Sequence, residues 1–166
     1  MEIRPLTAND ASIYRELRLQ SLREHPEAFG ASFEEEQALT EEQVAQQLSG
    51  DSAFVFGVFM AAQLVGIVSL FRYQRAKTRH KAILGGMYVV PAARAQGVGK
   101  ALLAYVVAQA RALDGLEDLT LAVTVGNAGA RALYLAAGFV PYGVEARYIK
   151  LDDRYYDIEW MILRLI

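Results

Sequence analysis

Two glycines spaced two apart and flanked by basic residues are the first feature of this sequence that suggests chemistry. They lie in Arg94-Ala95-Gln96-Gly97-Val98-Gly99-Lys100. An apolar, strand-like run, Met87-Tyr88-Val89-Val90, precedes them and is broken by Pro91. Downstream, Val98, Leu102, Val106, Ala110 and Leu113 recur at helical spacing, which predicts a helix over 97–113. Glycine lets the backbone approach a ligand closely. The unsatisfied amides and positive dipole end of the new helix then suit a phosphate or pyrophosphate, and Arg94 and Lys100 add formal charge. A side chain at Gly97 or Gly99 is expected to stand where phosphate must approach. Other glycine motifs fit poorly. A P-loop needs glycine and a hydroxyl where Arg94 and Ala101 stand. A dinucleotide fingerprint needs a third glycine at Leu102. A tight turn before an ordinary helix is the alternative that glycine spacing leaves open.

The elements that must position this turn can be read along the chain. Ile3–Leu6 reads as a strand, and Thr7 with Asp10 as the capped start of a helix burying Tyr14, Leu17 and Leu22. Residues 25–33 are loop-like. Thr40 with Gln43 starts a second helix that stops near Gly50, with Leu39 and Val44 as its hydrophobic staple. Ala53–Met60 and Gln63–Tyr73 read as a hairpin, although Ala61-Ala62 is poor turn chemistry. A third strand covers 82–90. After the 97–113 helix come a strand over 119–125, a helix over 127–137 closed by Gly138, and a hairpin, 139–150 and 155–165, turning at Asp152-Asp153. No repeat or linker divides the chain, so a single domain is expected. This order predicts a mixed α/β fold in which a parallel pair is flanked by antiparallel strands.

Composition narrows the function. The 166 residues are 54% hydrophobic and 22% charged, as in a globular chain with a sizeable core. A net charge of −2 gives no general attraction to nucleic acid or anionic membrane, and neither is an expected partner. The absence of cysteine excludes disulfides, thiol nucleophiles and cysteine metal sites. No apolar run is long enough to span a bilayer, and a cytoplasmic location is expected. His25 and His80 are the only histidines, too few for a metal site, and both are expected at the surface.

A second segment, Asn127-Ala128-Gly129-Ala130-Arg131-Ala132-Leu133-Tyr134-Leu135-Ala136-Ala137-Gly138-Phe139, changes the reading of the first. Together the two resemble the GNAT superfamily of N-acetyltransferases. The first is similar to its Arg/Gln-x-x-Gly-x-Gly/Ala loop through Arg94, Gly97 and Gly99. The second is similar to its Asn-x-x-Ala-x-x-Leu-Tyr-x-x-x-Gly-Phe segment at each of those positions. The resemblance in element order extends over essentially the whole chain. It implies a mostly antiparallel mixed sheet with a splayed parallel pair and helices on both faces. It also implies acetyl-CoA as co-substrate, no metal, and a small-molecule or peptide amine as acceptor. Arg94, Ala95, Gln96, Gly97, Val98, Gly99 and Lys100 would hold the pyrophosphate, and the backbone of Met87, Tyr88 and Val89 the pantetheine arm and acetyl carbonyl. Tyr134 would be the general acid for the leaving thiolate; core packing on the helix face of Ala130, Leu133 and Ala137 is its plainer reading. Asn127 would lie near the cofactor arm, and is equally a good helix N-cap. A non-catalytic acyl-CoA-binding or sensing domain is the alternative function.

The proton-accepting base is harder to find. Some family members carry a glutamate where Ala122 stands here, and the 82–90 strand contains no acid. The proton is therefore expected to leave through water toward Glu34, Glu35, Glu36 or His80, or the acceptor to arrive neutral. Either route implies a kcat/KM that rises with pH. The glutamate run is also a plain solvated face, or an attraction for a cationic amine. Arg72, Arg75, Lys77, Arg79 and Lys81 fit a solvated hairpin tip, with the cofactor's 3′-phosphate or an anionic acceptor as alternative contacts. Tyr142, Tyr148, Tyr155, Tyr156 and Trp160 fit strand packing most simply, and otherwise the acceptor pocket or a homodimer contact.

Overall fold

The computed structural model describes residues 1–51 and 53–166. Among them, seven strands form one sheet: β1 (Glu2–Pro5), β2 (Ala53–Met60), β3 (Gln63–Arg72), β4 (Lys81–Val89), β5 (Asp118–Thr124), β6 (Val140–Leu151) and β7 (Arg154–Arg164). Their spatial order is β1-β2-β3-β4-β5-β7-β6. Every neighbouring pair is antiparallel except β4–β5. Five α-helices connect them: α1 (Ala11–Glu24), α2 (Phe33–Gln37), α3 (Glu41–Leu48), α4 (Val98–Ala112) and α5 (Ala128–Ala136). The expected mixed fold is the observed one.

Alternation along the strands divides the core between the two sheet faces. Val55, Phe59, Ile67 and Tyr88 pack with Leu17 of α1 and Val44 and Leu48 of α3. Phe56, Val58, Val68 and Leu70 face Leu102, Val106 and Ala110 of α4, which are fully enclosed. Ala130, Leu133, Tyr134 and Ala137 of the α5 segment join this second cluster from its margin. The helical periodicity of α4 thus corresponds to real burial.

Helix starts follow the sequence signals closely. Arg4 of β1 clamps both Asp10 oxygens at 2.8 and 2.9 Å, and the Thr7 amide donates to the same carboxylate at 2.8 Å. Thr40 and Gln43 form the reciprocal capping box of α3. A third box, Ser32 with Glu35, starts α2, so the glutamate run forms a short helix with Glu34 and Glu35 exposed. The Ala61-Ala62 turn also forms, with both residues left-handed at φ 46° and 63°. That is the backbone of a tight two-residue hairpin, adopted here against the alanine preference.

The feature that builds the site is the seam between β4 and β5. Only Lys81–Leu84 pair with Asp118–Leu121. Beyond them Gly85–Val89 continues beside β3, while Ala122–Thr124 continues beside β7. A bulge opens where the strands part, with Gly86 left-handed at φ 62°. The splay therefore starts at a glycine whose conformation most residues avoid.

The C-terminal aromatic residues depart from simple strand packing. β6 is a sheet edge, and Tyr142, Tyr148 and Tyr155 are exposed. Tyr148 meets Trp160 edge-on, and Arg147 lies 3.9 Å over the Tyr155 ring. Tyr148 and Trp160 pack on each other at the surface, and Tyr156 is half-buried.

Candidate active site

A cleft of about 870 Å³ opens between the free tail of β4, the glycine turn and the start of α5. Met87, Tyr88, Val89, Arg94, Ala95, Gly97, Val98, Gly99, Lys100, Asn127 and Tyr134 all line it. Of the residues the sequence assigned to the acetyl-CoA site, Gln96 alone does not; its amide instead donates to the Ala92 carbonyl at 2.9 Å.

The turn is built to leave amides free. Gly97 is left-handed at φ 76° and caps α4. The first helical hydrogen bond runs from the Ala101 N–H to the Gly97 carbonyl at 2.9 Å. The N–H groups of Val98, Gly99 and Lys100 therefore precede the hydrogen-bonded ladder of a 15-residue helix. Such amides favour an anion. The two glycines have different duties. A Cβ on Gly97 would meet open space, so its backbone conformation is what requires glycine. A Cβ on Gly99 would point at Leu133, Met87 and Val89, 3.6–3.9 Å away. A large side chain there would enter the gap between β4 and α5. The protein neighbours of the two positions therefore differ.

Main-chain groups alternate sides along β4. The Val90 N–H bonds the β3 carbonyl of Val65 at 2.9 Å, so the Val89 peptide groups face the gap. Arg94 Nε takes the Val89 carbonyl at 2.8 Å, and a terminal nitrogen of Arg94 lies 3.2 Å from His25 Nε2. The Arg94 side chain thus ties the turn to β4 and to the residue that ends α1. The Tyr88 side chain points the other way. Its hydroxyl donates to Glu24 and accepts from Gln20, and burial together with the Glu24 carboxylate pushes its pKa up to about 12.

Tyr134 reaches into the cleft from α5. The nearest partner of its hydroxyl is the thioether sulfur of Met87, at 3.8 Å. Burial raises its pKa to about 12, so the phenol is protonated throughout the neutral range. Its ring also packs edge-on against Phe139, so the packing and chemical readings coexist. Asn127 caps α5, accepting from the Ala130 N–H at 3.3 Å, and faces the cleft as well.

A smaller cavity of about 70 Å³ lies in the fork itself, lined by Phe29, Gly86, Met87, Ala122 and Tyr134 among others. The expected proton acceptors are elsewhere. His80 stands just before β4, its carbonyl accepting from Glu117 and Asp118. Seven residue steps along the strand separate it from Met87, roughly 20 Å. Arg72 bonds the Asp114 carbonyl beyond the far end of α4. That end lies about 22 Å from the glycine turn, so the basic connection is no phosphate contact there. Glu34, Glu35 and Glu36 line neither cavity. Glu36 instead meets Arg18 at 3.4 Å, and Glu35 caps its own helix. His25 and Glu27, which the sequence did not mark as functional, do line the cleft.

The profile of the acetyltransferase (GNAT) family matches residues 13–139. Among curated proteins no sequence relative was found. Solved structures similar to this chain include the Salmonella typhimurium yncA protein with its cofactor acetyl-CoA, at 19% identity and TM-score 0.86, covering 100% of this chain and 94% of that one. Ribosomal-protein-alanine N-acetyltransferase from Brucella melitensis is 23% identical with a TM-score of 0.82, covering 99% of each chain. A spermidine N-acetyltransferase chimera from Vibrio cholerae and hSSAT is 23% identical with a TM-score of 0.77, covering 99% and 96%.

Proposed function

The chain belongs to the GNAT family of acetyltransferases, and from that premise we propose that it transfers the acetyl group of acetyl-CoA to an amine of a small molecule or peptide. The carrying observation is the fork between β4 and β5, with a protonated phenol facing the free edge of β4. The donors fit the co-substrate. The Val98, Gly99 and Lys100 amides suit its pyrophosphate, and the Val89 N–H suits a carbonyl of the extended arm. Acetyl-CoA supplies an activated thioester to the site. The chain supplies orientation along β4 and a donor at the leaving sulfur. An amine attacks the carbonyl carbon, the C–S bond breaks, and Tyr134 stabilises and protonates the departing thiolate. With no cysteine in the chain, direct attack is simpler than a covalent enzyme intermediate.

The test is thiol release from acetyl-CoA across a panel of amines that includes spermidine and an alanine-terminated peptide, with products identified by mass. Acetylated amine appearing with the thiol supports transfer. Tight acetyl-CoA binding with no transfer to any amine would make the protein an acyl-CoA-binding or sensing domain instead.

A further inference from the structure

β4 carries no acid and Ala122 cannot accept a proton, but one carboxylate from another part of the chain lines the cleft. Glu27 is the only carboxylate among the described residues lining the cleft or the fork cavity. It sits in the single 3₁₀ turn Pro26–Ala28 that follows α1. Its main-chain carbonyl accepts from the Thr124 hydroxyl at 2.8 Å, a contact between residues 97 positions apart. Thr124 and Ala122 are two residues apart on β5, so their side chains share one face. The Glu27 turn is therefore fastened over the same sheet face as Ala122, one pleat along. The next two residues, Ala28 and Phe29, line the fork beside Met87 and Tyr134.

The carboxylate also has the His25 ring as a near neighbour. His25 Nδ1 lies 3.6 Å from Glu27 Oε1, while His25 Nε2 faces Arg94. Arginine can only donate, so Nε2 accepts and the ring proton sits on Nδ1, the nitrogen toward Glu27. Arg94 is in turn fixed on the Val89 carbonyl. A chain of contacts thus runs from the free edge of β4 to the Glu27 carboxylate. The other ionisable groups around it are Glu24 and Tyr88 behind His25, and Lys100, Tyr134 and Tyr156 across the cleft. The Glu27 side chain is 39% exposed, which leaves a solvent path for the proton.

We propose that Glu27 is the general base of the transfer, with His25 its positioning residue. The inference rests on the acetyltransferase reading above. An ammonium acceptor gives one proton to the Glu27 carboxylate, and the freed lone pair attacks the thioester carbon. On collapse the C–S bond breaks, Tyr134 protonates the thiolate, and the second proton shed by nitrogen restores the phenol. Glu27 returns its proton to water. The sum is ammonium plus acetyl-CoA giving amide, free thiol and one proton.

The test compares wild type with Glu27→Gln over pH 6–10, using whichever of spermidine and the alanine-terminated peptide is acetylated. Calorimetry with acetyl-CoA and the thermal midpoint serve as controls. The substitution keeps the main-chain carbonyl that binds Thr124, so folding and acetyl-CoA affinity should not change. With a base at work, wild-type log kcat/KM is flat through neutral pH. In Glu27→Gln it should fall about 10²-fold at pH 7, the low end for general-base assistance, and climb with unit slope toward the acceptor's own pKa. Parallel profiles in the two proteins would overturn the base while leaving the transferase intact. No transfer by wild type to either amine, with acetyl-CoA bound, would overturn the transferase reading and the base with it.

Discussion

At the scale of single residues, the acid role proposed for Tyr134 needs a phenol that stays protonated while its hydroxyl remains available. Tyr134 achieves both through burial and a weak sulfur partner. In the proposed role its neutral form donates, and that form is lost only as pH rises through about 12. No limb of the rate profile between pH 6 and 10 should therefore belong to it. The same burial makes it a reluctant acid beside a thiol, whose ordinary pKa is about 8.5. Its contribution should consequently be near the lower end of general-acid effects, about 10²-fold. Tyr134→Phe should bind acetyl-CoA normally in calorimetry, turn over about 10²-fold more slowly, and keep the shape of its pH profile. Wild-type turnover in that variant would reduce Tyr134 to a packing residue.

At the scale of elements, the two glycines of the turn separate experimentally. Gly99→Leu should fill the space between Met87, Val89 and Leu133 and weaken acetyl-CoA binding by closing the passage between β4 and α5. Calorimetry on the folded variant checks this, and undiminished affinity would mean that the ligand does not pass there. Most of this scaffold was legible in the sequence because local chemistry marked it. The Thr7–Asp10 and Thr40–Gln43 caps, the α4 periodicity and the left-handed Gly138 are all contained within a few residues. Ala61-Ala62 gave no turn signal, yet the hairpin read there forms, because tertiary pairing of β2 with β3 overrides a turn preference that alanine does not satisfy. Glu27 and His25 were not legible at all. The 25–33 segment has no periodicity, and its place over the fork comes from Thr124, far away in the chain. His80 was a reasonable candidate by type, but strand direction carries it to the opposite end of β4.

At the scale of the molecule, acid should loosen the first strand from its helix. Arg4, with help from the Thr7 amide, holds the nearly buried Asp10 carboxyl at a pKa of about 2. A folded pKa below the unfolded value means stability that is fully present above about pH 4 and lost as pH falls toward 2. The shift corresponds to roughly 2 kcal/mol. Asp10→Asn should lower the urea unfolding free energy by about that amount at pH 7, with the gap closing by pH 2. A gap independent of pH would show that the ion pair is not its source. The fork has its own consequence, for solvent access in time. A sheet interior normally gives up its amide protons slowly, because each must break a ladder bond. Here the Val89 N–H faces a gap while the adjacent Val90 N–H is bonded to Val65. Two neighbouring amides on one strand should therefore exchange with deuterium at widely different rates in the free protein. A ligand lying along β4 should slow Val89 and leave Val90 as it was, so that this pair of amides records occupancy of the fork before any chemistry occurs.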